Sequence, residues 1–516
     1  EDTVAALAAV HALARVPGHD ANAELLELIL EGTPGFEDHA LWAIASRPPA
    51  TEQMRPVARA VARGSRPGMH AQRALSRWAE RDPLAVLVAI ESTLLEHHTP
   101  SARRYLVETV GLIPGRAARQ TLERVALDDD EHLDVRTAAI LAFVERAAER
   151  LPASIGALGR SHELAEVVRD TKAQRQLRRR GVRVDASRTG LRIAQLHLGE
   201  TGGLATLLPQ LGTMLADRSR ISEVITIVRG DAGARSSETD RRSGHRLEQL
   251  PLTDGDGTGF THRWPGVVSI ARGIRSALLA SNLPDIVHLR MADPASLAGA
   301  AVADEFGIPV VFTLAADPHA PIESSEAAGS LDRRTFAGVD ARDGLWFRAD
   351  LVERLARQAR EVVLVPRPNV TRRIHQLTGI DLASGPPRTT VVAEGVDTTR
   401  IDDAEQTVHE GEQMPEVLAD LQRAISRLPV ERHGLPILLT VGRLHEIKGM
   451  ARLVEAFCST PALSRRANLV IVGGNLEAPS STEAAELAKI QQALDAQPGA
   501  RDRVVLLGQR QHEDVA

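Results

Sequence analysis

The sequence predicts an all-helical amino-terminal part followed by two α/β lobes with parallel sheets. Three observations predict this arrangement. Helical stretches rich in Ala, Leu, Arg and Glu recur about every 32 residues up to residue 150. From residue 190 the apolar pattern changes to short strands alternating with helices, which is typical of a parallel sheet. A second strand–helix–strand series begins at residue 435, so two separate sheets are expected.

Four predicted helices in the amino-terminal part start with similar small-residue patterns, at Asp38, His70, Ser101 and Asp134. Small residues let stacked helices approach closely, and each helix pair buries its apolar face only against its neighbours. The stretch 134–141 is similar to the second helix of a HEAT repeat. We therefore expect an α-solenoid over residues 1–150, with an irregular helical bundle as the alternative. Because a solenoid offers an extended surface, a protein partner is expected there.

Residues 151–189 are predicted to form a linker with little core and a helix over 161–180. That helix ends in a basic cluster at 174–180. We interpret the cluster as a solvated helix face, and contact with an anionic partner is the alternative.

The first α/β lobe is predicted over residues 190–400. Residues 231–262 are polar and rich in Gly and Asp, so a long loop is expected there at the carboxyl edge of the sheet. The predicted strands of this lobe are 191–198, 223–228, 285–289, 309–313, 361–365 and 389–393.

A charged helical segment, 401–434, is predicted to connect the first lobe to a second lobe over 435–516. The strands predicted for the second lobe are 436–441, 468–473 and 503–507. The family resemblance described below implies a second lobe of roughly twice this length. We therefore expect the second lobe to be truncated.

Lysine is rare in this chain and occurs at Lys172, Lys448 and Lys489, among 62 Lys and Arg residues. Lys448 lies in a glycine-flanked turn between an apolar run and an amphipathic stretch. Such a turn directs backbone N–H groups and a helix N-terminus towards one place, which suits a phosphate. Arg443 adds a planar guanidinium that can donate two parallel hydrogen bonds, and Lys448 adds a compact ammonium charge. These are two complementary ways to hold a diphosphate. The sequence therefore predicts a diphosphate site at Gly442, Arg443 and Lys448, with a surface lysine in a βα loop as the alternative.

The pattern Gly-Arg-Leu, three residues, Lys-Gly and an apolar helix resembles the retaining GT-B glycosyltransferases of the family-4 type. Residues 468–511 are similar to the sucrose-phosphate synthase and sucrose synthase branch, and the resemblance covers about residues 190–516. It implies two Rossmann-like lobes, with Arg443 and Lys448 on the diphosphate of a nucleotide-sugar donor. A UDP-sugar donor and a sugar or sugar-phosphate acceptor are implied by analogy. No cofactor is expected beyond the donor.

The resemblance also implies roles for three positions in the first lobe. Gly202 and Gly203 lie at the first βα turn, where the family contacts the donor phosphate and the acceptor; a tight turn is the alternative. Asp293 matches the acidic residue of a similar His-Tyr-Ala-Asp stretch. The simpler interpretation is that Asp293 caps the helix that begins at Pro294, and we favour it.

The chain departs from the family pattern at Ala315, where the family has a histidine that faces the sugar. Either His319 supplies the ring from a shifted loop, or no histidine acts, or the protein is not catalytic. A second departure, Glu394 in place of Asn or Pro before Gly-Val-Asp, implies no change in chemistry. The paired glutamates of the family's second lobe would lie beyond Ala516.

Composition excludes several classes of protein. A net charge of −6 and 3% aromatic residues argue against a nucleic-acid-binding protein. The single cysteine, Cys458, excludes an internal disulfide and a cysteine zinc site, and it is expected to be a buried structural thiol. Metal-ligand spacings are absent. No signal peptide and no apolar run of about 18 residues is present, so a cytoplasmic location without a membrane span is expected. The arginine excess suggests a bacterial source.

Three hypotheses follow. The first is a retaining glycosyltransferase fused to a HEAT-like solenoid. The second is a non-catalytic HEAT-repeat scaffold or regulator with a degenerate transferase lobe, which Ala315 suggests. The third is a nucleotide-sugar epimerase of related fold. The pattern at Arg443 and Lys448 argues against this third hypothesis.

Overall fold

The structure is a computed structural model, and it divides the chain into two compact units, Glu1–Ala393 and Glu394–Ala516. The finer division into five segments remains a prediction. The residues that the structure describes are 2–160, 163–180, 190–198, 203–230, 236–240, 244–251, 266–279, 283–314, 317, 319–327, 329–367, 369–381, 388–393, 395, 398–410 and 416–510.

The amino-terminal part of the first unit is helical. Its helices are α1 (Thr3–Leu13), α2 (His19–Glu31), α3 (Glu37–Ile44), α4 (Thr51–Arg63), α5 (Ser65–Ala79), α6 (Pro83–Glu96), α7 (Pro100–Leu112), α8 (Arg116–Leu127), α9 (Leu133–Leu141), α10 (Ala153–Leu158) and α11 (Ala165–Arg180). The odd-numbered helices contact one another in order, and so do the even-numbered helices, which makes two rows. The HEAT-like assignment remains a prediction, because two rows of helices do not identify a repeat family.

Buried side chains tie the helices of this part to loops about 30 residues earlier in the chain. Arg47 donates hydrogen bonds to the carbonyl oxygens of Leu13 and Gly18 at 2.6 and 2.8 Å. Trp78 Nε1 donates to the carbonyl oxygen of Arg47 at 3.0 Å. Leu13 is the last residue of α1, so its carbonyl group has no partner within that helix, and Arg47 satisfies it.

The segment predicted as a linker instead belongs to the helical core. Ile155 of α10 and Val168 of α11 are buried in the same apolar cluster as the preceding helices. Arg175 is 4% exposed and donates to the carbonyl oxygens of Phe143 and Arg146. The prediction of a poor core is therefore wrong. Of the basic cluster, Arg175 is buried rather than solvated, since it caps an earlier helix end.

The second part of the first unit is an eight-stranded sheet of order β3-β4-β2-β1-β5-β6-β7-β8, in which only the β3–β4 pair is antiparallel among the described strands. The carboxyl ends of the other strands therefore share one edge, where open α/β sheets bind ligands. The strands are β1 (Leu191–His197), β2 (Ile221–Gly230), β3 (Ser236–Asp240), β4 (His245–Pro251), β5 (Ile286–Leu289), β6 (Val310–Leu314), β7 (Glu361–Leu364) and β8 (Arg388–Val391).

The prediction of a long loop over 231–262 is wrong, because β3 and β4 lie within it. Val224 of β2 pairs with His245 of β4 in a parallel register. His245 is 6% exposed, and its Nε2 lies 2.8 Å from Thr226 Oγ1. Because the buried side chains of β4 include the polar residues His245 and Glu248, the strand lacks apolar alternation, and the pattern in the sequence did not reveal it.

Helices cover the sheet and bury its apolar strand residues. Ala194 and Val287 of the central strands pack in one cluster with Ile274 and Ala298 of the neighbouring helices. These helices are α12 (Gly203–Ala216), α13 (Val267–Leu279), α14 (Pro294–Glu305), α15 (Ala320–Ala327), α16 (Phe336–Asp343), α17 (Leu345–Gln358) and α18 (Val370–Thr378).

The odd-numbered row of the helical part packs against this lobe. Arg66 of α5 is 2% exposed, pairs with Asp38, and donates to the carbonyl oxygen of Asp340 at 3.0 Å. His39 Nε2 lies 2.9 Å from Asp340 Oδ2. Gly344 has φ +61°, and a Cβ there would lie 2.5 Å from Arg66 Nη1. Part of the surface of the helical part is therefore buried against the first lobe of the same chain. The expected protein partner remains a prediction.

The second unit is a three-stranded parallel sheet of order β11-β10-β9. Leu469 and Ile471 lie on one face of this sheet, in a cluster with Val454 and Ile490. Val470 and Val472 lie on the other face and pack against residues of α20, so helices cover both faces. The elements are α19 (Thr398–Glu410), α20 (Glu416–Ile425), β9 (Ile437–Val441), α21 (Met450–Ser459), α22 (Pro461–Ser464), β10 (Asn468–Val472), α23 (Ser481–Asp495) and β11 (Val504–Gly508).

Candidate functional site

The predicted diphosphate motif forms the loop between β9 and α21. The N–H of Gly442 donates to the carbonyl oxygen of Val472 at 3.0 Å, which holds the start of the loop against the end of β10. Glu446–Lys448 forms one turn of 3-10 helix. Gly449 has φ +68° and is the N-cap residue of α21. The loop therefore reverses from strand to helix through glycines at both ends.

Two glycines at the end of β10 allow this loop to lie close to the sheet edge. Gly473 has φ +138°, and a Cβ there would lie 1.8 Å from the carbonyl oxygen of Gly442. Gly474 has φ +74°, and its Cβ would lie 2.4 Å from Leu444 Cδ1. The N–H of Gly473 donates to the carbonyl oxygen of Gly508 at 2.9 Å. The ends of all three strands therefore meet at one surface that is lined by glycines.

Arg443 and Lys448 are both exposed at this surface. Neither side chain makes an ion pair or hydrogen bond with a residue in the described part of the chain. Leu444 between them is buried at 1% exposure, and it packs into the core of the second unit. The loop is therefore anchored by an apolar side chain while its two cations remain available to a ligand.

One feature of the loop differs from the prediction of a free helix N-terminus. The N–H of Ala451, in the first turn of α21, donates to Glu486 Oε1 at 2.9 Å. Glu486 lies on α23 and is 2% exposed. An internal carboxylate therefore already occupies one of the helix-terminal donors that a phosphate would use.

The sequence contained a signal for Glu486 that pattern reasoning missed. Glu486, Ile490 and Leu494 are the buried residues of α23, and they lie four residues apart on one face. A carboxylate on an apolar stripe is rarely buried without a partner. Such a position therefore predicts a specific internal hydrogen bond.

In the first unit, a cavity of about 490 Å³ lies at the carboxyl ends of β6 and β7. Arg373 of α18 forms ion pairs there with Asp317 and Glu323. Since this is the edge where open α/β sheets bind ligands, the cavity is a candidate acceptor site. The residues that line it are Leu314, Asp317, Ala320, Glu323, Ser324, Val365, Arg367, Val370 and Arg373.

His319, the predicted catalytic histidine, lies beside this cavity at the start of α15. Its backbone N–H donates to Asp317 Oδ1 at 2.9 Å, and its Nδ1 lies 3.6 Å from the same oxygen. Burial lowers the pKa of His319, and the nearby Asp317 carboxylate partly offsets this. His319 is therefore neutral at pH 7, and its ring can donate or accept a hydrogen bond.

Asp293 is the N-cap of α14, and its Oδ1 accepts from the N–H of Ser296 at 2.7 Å. Pro294 occupies the first turn, as the cap interpretation requires. A role for Asp293 towards an acceptor remains a prediction. Gly202 and Ala315 lie outside the described residues, and Gly203 is described only as the first backbone position of α12.

The described residues lack two further features. They contain no group of three or more His, Cys, Asp or Glu side chains placed to hold a metal ion. None of the helices in these ranges is both long and apolar enough to cross a lipid bilayer. Cys458 is 5% exposed in the core of the second unit, which confirms the predicted buried thiol.

Comparison with known sequences gives one similarity of note. The chain is 30% identical over 130 residues to sucrose synthase of Nitrosomonas europaea, which covers 24% of this chain. The matched part spans 16% of the length of that relative. No protein-family model matches the chain.

Among solved structures, sucrose-phosphate synthase from Thermosynechococcus elongatus aligns with a TM-score of 0.44 at 17% identity. That alignment covers 63% of this chain and 72% of the other. A UDP-forming trehalose-phosphate synthase from Burkholderia xenovorans aligns with a TM-score of 0.43 at 13% identity, over 63% and 77% of the two chains. Structural similarity with such low identity and TM-scores does not support a conclusion about any reaction of this chain.

Proposed function

We propose that this chain belongs to a retaining glycosyltransferase that moves a sugar from a nucleotide-sugar onto an acceptor hydroxyl. The observation that carries the proposal is the loop from Gly442 to Gly449, which presents Arg443 and Lys448 at a glycine-lined strand edge. A UDP-sugar donor and a sugar or sugar-phosphate acceptor are proposed because the sequence resembles the sucrose synthase branch.

In the proposed reaction, the bond between the anomeric carbon and the diphosphate oxygen breaks, and a bond to the acceptor oxygen forms. The proton of the acceptor hydroxyl passes to the departing diphosphate oxygen. Negative charge grows on the leaving diphosphate. The guanidinium of Arg443 and the ammonium of Lys448 would stabilise that charge. His319, neutral because it is half-buried, is the proposed hydrogen-bond partner of the sugar.

The first test is UDP binding to the full-length protein by isothermal titration calorimetry. The double variant Arg443→Ala and Lys448→Ala should bind UDP at least about 100-fold more weakly, since each charged hydrogen bond contributes about 1.5–3 kcal/mol. Arg452→Ala, which removes an exposed cation from the first turn of α21, just after the loop, is the matched control. Equal affinity of the double variant and the wild type would overturn the proposal.

A second candidate function is a non-catalytic scaffold with a degenerate transferase lobe. Ala315 favours it, since alanine cannot donate the hydrogen bond that the family's histidine gives. So do the ion pairs of Arg373, which leave the charges of the acceptor cavity satisfied by one another. Release of UDP from UDP-glucose by the full-length protein, with or without a sugar phosphate, would exclude this candidate.

A further inference from the structure

Helix α23 contacts the proposed diphosphate loop at two points. Glu486 Oε1 accepts the N–H of Ala451 at 2.9 Å, across 35 residues of sequence. Three residues further along, Lys489 Nζ lies 3.1 Å from Glu446 Oε1, in the turn that carries Lys448. Glu486 of the first contact is 2% exposed, whereas the side chains of the second contact are 49% and 63% exposed. Glu486 is therefore the stronger link, because exposed ion pairs contribute little.

The N–H of Ala451 has no acceptor within its own helix, because it belongs to the first turn of α21. This helix end also carries partial positive charge, which attracts anions. A buried carboxylate is tolerated at such a place because the hydrogen bond and the helix end offset its desolvation. Glu486 thus acts as a built-in anion at the end of α21.

We propose that Glu486 is a positioning residue of the proposed diphosphate site: its carboxylate holds the first turn of α21 in place and weakens binding of the donor's phosphates by opposing their charge. This inference rests on the proposed function, because it assumes that a diphosphate binds beside Arg443 and Lys448. It assigns two effects of opposite sign to one side chain. The hydrogen bond orders the loop, and the negative charge limits the affinity of the loop for a second anion.

Because of the charge effect, we expect a conservative substitution of Glu486 to strengthen the binding of UDP rather than weaken it. Glu486→Gln keeps a carbonyl oxygen that can accept the N–H of Ala451 but removes the negative charge. UDP should then bind about threefold or more tightly, since an opposing charge is removed from a partly buried helix end. The measurement is isothermal titration calorimetry of the full-length protein with UDP.

Gln492→Glu is the matched control, since it adds a carboxylate at an exposed position of the same helix. Its affinity for UDP should equal that of the wild type. If Glu486→Gln also equals the wild type, the inference is overturned while the proposed function stands. If the wild type does not bind UDP, both fail, so the two outcomes are distinguishable.

Hydrogen exchange tests the positioning effect without any ligand. In the wild type, the protection of the Ala451 amide comes from Glu486, because no intrahelical acceptor exists for it. Glu486→Ala should therefore raise exchange at Ala451 about tenfold or more while exchange in the second half of α21 stays unchanged. Gln492→Ala serves as the control. Unchanged exchange at Ala451 would show that Glu486 does not order the loop.

Discussion

At the residue scale, the ends of β9 and β10 approach so closely that only glycine fits at position 473. The carbonyl oxygen of Gly442 occupies the space where a Cβ of residue 473 would lie, at 1.8 Å. Because that contact is with backbone, no side-chain rotation can relieve it. The same approach brings the loop that carries Arg443 and Lys448 onto the sheet edge. The geometry of the candidate site thus depends on residue 473 having no Cβ atom.

Gly473→Ala should therefore destabilise the second unit by about 2–4 kcal/mol, through the clash together with the strained backbone. Gly434→Ala is the matched control, since Gly434 also has positive φ, +82°, but has nothing within 4 Å of its Cβ position. Its cost should be about 1 kcal/mol. Urea unfolding followed by circular dichroism measures both. Equal costs for the two variants would contradict the close approach.

At the scale of elements, buried arginines bind the ends of helices in the amino-terminal part. Arg146 is 5% exposed and donates to the carbonyl oxygens of Ile113 and Gly115, just after α7. Arg175 does the same for the region after α9. Arg146 lies in the turn after α9 and Arg175 lies on α11, and each contacts a loop about 30 residues earlier. Neighbouring helix pairs are therefore linked by polar as well as apolar contacts.

Arg146→Ala should destabilise the helical part by about 2–4 kcal/mol, because the carbonyl groups of Ile113 and Gly115, in the loop between α7 and α8, lose a charged donor. Arg116→Ala removes an exposed arginine that has no partner among the described residues, and it should change stability by less than about 0.5 kcal/mol. The check is the loss of helicity in urea. If the two variants unfold together, the buried hydrogen bonds are not what joins the pairs.

At the scale of the whole molecule, aromatic and histidine side chains lie between the odd-numbered helix row and the first lobe. His11 Nε2 lies 2.7 Å from His39 Nδ1, and the His11 ring stacks on Trp42 with centroids 4.6 Å apart. Burial, together with a smaller contribution from the neighbouring His39, lowers the pKa of His11 to about 4. Burial also lowers the pKa of His70, which packs on Phe347. The packing at this interface therefore favours the neutral forms of His11 and His70.

The sign of the pH dependence follows from these shifts. Between about pH 6.5 and pH 4 the unfolded chain binds a proton at His11 that the folded chain does not, so stability falls as pH decreases. His11→Gln should reduce the loss of stability between pH 7 and pH 5. The measurement is urea unfolding at both pH values, followed by tryptophan fluorescence. His98→Gln, at an exposed position, should keep the loss seen in the wild type; an equal loss in His11→Gln would contradict the prediction.

Much of the fold was predictable because local periodicity reflects burial. The strands around Ala194, Val287 and Ile471 are short apolar runs, and each lies within one or two residues of its predicted place. Strand β4 escaped prediction, because its buried positions include His245 and Glu248, whose partners come from elsewhere in the fold. The helix pair α10–α11 was misjudged for a similar reason, since Arg175 is buried only because distant carbonyl groups receive it.

The sequence by itself determined the alternation of strands and helices, the glycine-flanked turn with Arg443 and Lys448, and the burial of Cys458. Each of these depends on the chemistry of neighbouring residues, which the chain carries wherever it folds. Only the tertiary structure decided that the odd-numbered helices pack on the first lobe and that Glu486 occupies the end of α21. Those contacts join residues 35 to 274 positions apart. Packing, rather than local pattern, selects such partners, because a hydrogen bond between distant residues leaves no periodic signal.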